Sequence, residues 1–88
     1  MVDYQLKIMS PDGEIFNDKV IALSLRGAEG DMAILANHVP LVTTVKPGKC
    51  VVTLPNEEEM EGTLDGGILN VGSDSVTLLV GNRKLFSK

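Results

Sequence analysis

The sequence predicts an all-β domain, and three observations carry that expectation. Apolar residues alternate with polar ones over short runs, Pro and Gly cluster between the runs, and no long window shows the 3.6-residue period of a helix. Tyr4, Leu6 and Ile8 alternate with Asp3, Gln5 and Lys7, the pattern of a half-buried strand. Ser10-Pro11-Asp12-Gly13 then places Pro and Gly where a reversal needs fixed or positive φ. Ile21, Leu23 and Leu25 alternate with Ala22, Ser24 and Arg26, and Val76, Leu78 and Val80 repeat the pattern near the end. Cys50, Val51, Val52, Thr53 and Leu54 form a run apolar on both sides, the mark of a central strand. Lys46-Pro47-Gly48-Lys49, Pro55-Asn56-Glu57 and Gly72-Ser73-Asp74-Ser75 each read as a further hairpin tip. Gly27 with Gly30, and Gly66 with Gly67, match no nucleotide-binding pattern and read as turn or bulge glycines. Short strands at regular spacing with turn signals between them predict an antiparallel sandwich or barrel, with no helix required.

The totals bound what such a domain does. A chain of 88 residues has room for one domain, 1–88, with strands over roughly 3–80 and a short basic tail over 81–88. A domain of this size buries about 60–65% of its unfolded surface, so modest stability is expected. The net charge of −4 argues against nucleic acid, which needs a surplus of Lys and Arg on one face. Arg83, Lys84 and Lys88 read as a solvated terminus. Cys50 is the only cysteine, which excludes an intrachain disulfide and a cysteine-based zinc site and fits a buried small hydrophobe. No apolar stretch approaches the roughly 18–20 residues that span a bilayer, and the first residues lack the charged and apolar regions of a signal peptide. Glu57, Glu58, Glu59 and Glu61 read as a solvated hairpin tip, because adjacent strand residues point to opposite faces and do not converge on a cation.

Catalysis needs a nucleophile beside a base, or paired carboxylates, and His38 is the single histidine to build around. It sits in Ala36-Asn37-His38-Val39-Pro40, with Glu29 and Asp31 upstream as possible companions in a metal triad. Their spacing matches no ligand pattern, so no catalytic, cofactor or metal site is expected. Val39-Pro40-Leu41-Val42 is apolar and flanked by polar loop residues. Two readings stand for it: the start of a strand split between core and surface, or a partner-binding patch.

The segment GAEGDMAILANHVPLVTTVKPGK, Gly27 to Lys49, resembles the most characteristic stretch of F-type ATP synthase epsilon subunits, G-x-E-G-[DE]-x-G-I-L-P-x-H-A-P-L-[LV]-T-x-[LIV]-x-P-G. SPDGEIF upstream looks like the family's [ST]-P-x-G-x-x-F hairpin, and DGGILNV and SVTLLV downstream look like its GGFLEV and VTVLA strands. Together these pieces cover Tyr4 to Val80. Ala33 stands where glycine is usual and Ala36 where proline is usual, which leaves the Asn37-His38 loop a less rigid entry.

The resemblance implies a flattened antiparallel sandwich of two five-stranded sheets, seated beside the gamma subunit and resting on the membrane rotor ring, the c-ring. It implies a non-catalytic central-stalk part of a proton- or sodium-translocating synthase, with the alpha/beta catalytic head as part of the complex and no cofactor of its own. By family position, Glu29, Gly30, Asp31, Asn37, His38 and Val39 face the c-ring, and Ser10, Pro40, Leu41, Val42 and Thr43 face gamma. The membrane is met only through the complex. The expected place is the cytoplasmic face of a bacterial inner membrane, with the stromal face of a plastid thylakoid as the alternative. After Val80 the sequence GNRKLFSK departs from the acidic, alanine-rich segment that leads into the family's C-terminal helices. The expectation is a naturally short subunit that lacks the helices and their inhibitory role. The rival reading is a free-standing β-sandwich that binds a ligand or a protein. With no Trp, one Tyr and two Phe, the chain is poorly supplied for stacking against sugars or bases.

Overall fold

The computed structural model describes residues 2–81. Nine strands occupy most of them: β1 (Tyr4–Ser10), β2 (Gly13–Val20), β3 (Ala22–Gly27), β4 (Gly30–Leu35), β5 (Leu41–Val45), β6 (Gly48–Thr53), β7 (Glu59–Leu64), β8 (Gly67–Val71) and β9 (Ser75–Val80). No helix occurs among the described residues. The basic residues expected in the tail, Arg83, Lys84 and Lys88, lie outside them.

The alternation seen in the sequence is the alternation of the faces. Tyr4, Leu6 and Ile8 are buried in β1, Leu23 and Leu25 in β3, and Val76, Leu78 and Val80 in β9. β6 lies between β3 and β7, with Cys50 and Val52 buried and Val51 and Thr53 half-buried on the other face. One apolar core gathers these residues with Ile34, Leu64, Leu69 and Val71. Val20 and Ile21 are both buried although adjacent. Val20 pairs with Tyr4 in β1, whereas the Ile21 amide bonds to the Thr53 carbonyl, so the chain changes sheets between them and the inward face changes with it.

The strands form one hydrogen-bonded path, β2-β1-β9-β8-β5-β3-β6-β7, with β4 on the other edge of β3. β5 meets β3 through a single register pair, Gly27 with Val45. The path therefore divides into a half of five strands, β2-β1-β9-β8-β5, and a half of four, β4-β3-β6-β7. The family resemblance implies five and five, all antiparallel. Besides the count, the direction differs at one place, because β1 and β9 run parallel. No hairpin joins these two strands, so no tight turn dictates their relative direction.

Three of the four expected hairpin tips are hairpins: β1–β2, β6–β7 and β8–β9 are adjacent pairs. The fourth is not. Lys46 and Pro47 carry the chain from β5 in one half to β6 in the other, and the Lys46 amide bonds to the Arg26 carbonyl at 2.9 Å. A Pro-Gly signal fixes a local reversal but not which strand is met after it. The acidic tip lies on the β6–β7 hairpin, where Glu57, Glu58 and Glu59 are exposed. Asn56 organises it, accepting from the Glu58 amide and donating to the Glu58 carboxylate, both at 3.0 Å.

Candidate partner-binding surface

A short strand separates the residues that family position grouped together. Ala28 and Glu29 form the two-residue tip between β3 and β4, closed by the Gly27–Gly30 pair and turned by Gly30 at φ 130°. Glu29, Gly30 and Asp31 are exposed there, and Asp31 lies 3.6 Å from the Arg26 guanidinium. β4 then runs to Leu35, so Asn37, His38 and Val39 begin roughly 17 Å away at its other end. The six residues assigned to one ring-facing surface thus occupy two patches. Glu29 and Asp31 do not converge with His38.

The second patch is the β4–β5 loop, 36–40. Asn37 adopts φ 66°, a left-handed turn that Asn tolerates through its short polar side chain. His38 is half-buried, and its Nδ1–H donates to the Val39 carbonyl at 2.8 Å, which folds the loop on itself. Val39 stands 73% exposed and Pro40 is exposed beside it. The loop shares a depression with Tyr4 and with the Val71–Val76 turn.

The residues assigned to gamma also divide. Ser10 is tied into the β1–β2 turn, its hydroxyl donating to the Gly13 carbonyl at 3.3 Å and accepting from the Asp12 amide at 3.2 Å. Leu41 and Thr43 are half-buried on the inward side of β5, and Leu41 packs on the core. They line a depression with Gly27–Met32, so the β3–β4 tip of the ring-facing set lies against part of the gamma-facing set. Val42 points outward and is 68% exposed. The apolar stretch at 39–42 is therefore split, as the first of its two readings held, with Val39, Pro40 and Val42 outside and Leu41 inside.

Val42 begins an apolar band that the sequence reading missed. Register carries Thr44 across to Ile68, Ile68 to Leu79 and Leu79 to Met9 on the outer face of the five-stranded half. Val42 lies diagonal to Ile68 on that face, two positions from Thr44. Ile68 and Leu79 are each 46% exposed. The sequence did carry a signal: Ile68-Leu69 and Leu78-Leu79 double the apolar residue within strands of period 2, so one of each pair must face outward.

Residues 3–83 match the family model of the ATP synthase delta/epsilon chain β-sandwich domain. The chain belongs to that family. It is 42% identical over 72 residues to the ATP synthase epsilon chain of Stenotrophomonas maltophilia strain K279a, covering 82% of this chain and 51% of that one. It is 30% identical over 88 residues to the epsilon chain of Wolbachia pipientis wMel, covering 100% of this chain and 77% of that one. The chain spans about half the length of the Stenotrophomonas relative. In fold it is similar to a chain of the Euglena gracilis mitochondrial ATP synthase OSCP/F1/c-ring structure, with TM-score 0.88 and 23% identity over 98% of this chain and 54% of that one.

Within the delta/epsilon family pattern, the two departures have simple physical accounts. Ala33 lies in regular strand on the exposed outer side of β4, opposite Ser24, where its methyl group meets solvent. Ala36 is half-buried and packs on the core at the start of the 36–40 loop.

Proposed function

We propose that this delta/epsilon-family chain is a non-catalytic rotor part of a proton- or sodium-translocating F-type ATP synthase, linking gamma to the c-ring in the central stalk. Membership of the family supports it, as do relatives that are ATP synthase epsilon chains and a fold neighbour within an F1/c-ring assembly. The observation that carries it furthest at the level of residues is the outward apolar band of Val42, Ile68 and Leu79. Contiguous exposed apolar surface on a small domain marks a partner, and in this reading the partner is gamma. The exposed residues of the β3–β4 tip and of the 36–40 loop supply polar contacts to the ring. In this reading the alpha/beta head is met through the complex, on the cytoplasmic face of the membrane. No helix among the described residues is long and apolar enough to cross a bilayer.

Transmitting torque requires a part that does not deform, and a densely packed sandwich meets that demand. The test is co-purification with gamma and detergent-solubilised c-ring. Wild-type chain is expected to bind both. Ile68→Lys with Leu79→Asp is expected to weaken gamma binding at least about tenfold, because charge would be desolvated against apolar surface, while the melting temperature holds because the two opposite charges face each other across the register. Leu41→Asp is unsuitable, since Leu41 serves the core. Unchanged gamma binding by the double variant would remove the band from the interface, and failure of the wild type to bind gamma would sink the reading. The sandwich alone is also expected to leave ATP hydrolysis by the reconstituted enzyme free of ATP-reversible inhibition.

A further inference from the structure

The two halves of the sandwich share little backbone. Their one register pair, Gly27 with Val45, lies at the end of β3 beside the β3–β4 tip. At the other end of β3, Ala22 pairs with Leu35, and the chain leaves β4 for the 36–40 loop. The chain itself crosses there, at Ile21 and through the 36–40 loop, and a side-chain hydrogen bond also joins the halves. Tyr4, on β1 of the five-stranded half, donates its hydroxyl to the carbonyl oxygen of Ile34 on β4 of the four-stranded half, at 2.5 Å. The tyrosine is 7% exposed and Ile34 is fully buried, so water does not compete for this bond. Burial also pushes the phenol well above its ordinary range, which keeps the donor proton in place through neutral and mildly alkaline pH.

Ile34 stands two residues before Ala36. β4 is an edge strand paired on one side only, with β3. The loop it feeds has alanine at 36 rather than a ring that fixes φ, and the side-chain hydrogen bond within it joins neighbours, His38 and Val39. An edge strand held on one side frays readily at its end.

We propose that Tyr4 is a positioning residue for the 36–40 loop, its hydroxyl holding the end of β4 against the five-stranded half so that Asn37, His38 and Val39 leave the sandwich from a fixed place. The tyrosine acts from inside the core, where it is buried. That the loop is a contact surface rests on the function proposed above; the positioning is a statement about the free chain, and the two are tested separately.

Tyr4→Phe removes the hydroxyl and keeps the ring in the core. Val80→Ala, which opens the core beside the Gly27–Val45 junction, serves as a control for general loosening. In Tyr4→Phe, amide exchange at Ile34 to Ala36 is expected to quicken by about tenfold relative to Leu69 and Leu78, the equivalent of one net hydrogen bond, and backbone order parameters at Asn37 to Val39 are expected to fall. Val80→Ala is expected to leave that ratio near one. If loop order falls while binding to gamma and c-ring stays at the wild-type level, the positioning stands and the loop is not the contact. Equal acceleration at Leu69 and Leu78, the same loop response in Val80→Ala, or no change at Ile34 to Ala36 would overturn the proposal.

Discussion

Among the described glycines, Gly67 brings backbone closest to backbone: a Cβ placed there would stand 2.1 Å from the Leu79 carbonyl oxygen. The reason is space, since Gly67 pairs with Val80 at the end of the β8–β9 ladder and has no positive φ. At Gly30 the situation is reversed, with φ 130° and open space around the missing side chain. Gly67→Ala must push β8 off β9, and the expected loss is about 3 kcal/mol or more in a urea titration. Gly30→Ala meets only conformational strain, worth about 1–2 kcal/mol. If the two variants lost the same amount, the close approach at Gly67 would not be what requires glycine there.

At the scale of the element, hairpins are governed by their own few residues, and so these were the parts most open to reading from sequence. The alternation at Tyr4–Ile8, Ile21–Leu25 and Val76–Val80 gave the right inward faces, because a half-buried strand has period 2 whatever it pairs with. The tips at Ser10–Gly13, Pro55–Glu57 and Gly72–Ser75 were legible for the same local reason. Pairings between distant strands were not. Whether β5 returns beside itself or crosses to the other half, and whether β9 lies parallel to β1, depends on the shared core rather than on any turn. The surface was legible in smaller measure: the apolar stretch at 39–42 stood out against its polar flanks, but which of its residues face outward, like the band at Ile68 and Leu79, needed the register. The β6–β7 tip offers a test at this scale. Glu57 holds φ 71° while its amide donates to the Leu54 carbonyl at 2.8 Å, a backbone that glycine adopts without the Cβ penalty. Glu57→Gly is expected to raise stability by up to about 1 kcal/mol, seen as a melting temperature higher by about 4–8 °C. A lower melting temperature would show that the left-handed backbone is not a cost at this tip.

The molecule as a whole is one core wrapped by two unequal halves, with apolar residues of both in contact and no charged side chain buried among the described residues. Its response to pH should follow from the two buried acids. Burial pushes the Cys50 thiol from its ordinary value of 9.0 up to about 12, and moves the Tyr4 phenol upward for the same reason. In the unfolded chain both ionise at their ordinary pH, while in the native state they keep their protons. Between those limits the unfolded state binds fewer protons than the native one, so stability falls as pH rises. Urea midpoints are expected to be level up to about pH 8 and to decline above about pH 9, first through Cys50 and then through Tyr4. Cys50→Ala should start less stable but decline less steeply between pH 9 and 10. An unchanged slope in that variant would exclude the thiol as the source.

The parallel pairing of β1 with β9 also sets a constraint on biosynthesis. β1 is an inner strand of the five-stranded half, with β2 on one side and β9 on the other. On a translating ribosome β2 arrives at once, but β9 emerges only after all seven intervening strands have been made. Until then the hairpin of β1 and β2 waits with an open ladder and its apolar face uncovered, a state that invites pairing with other nascent chains. Closure must come in one late step, when the segment through Val80 clears the exit tunnel and slots between β1 and β8.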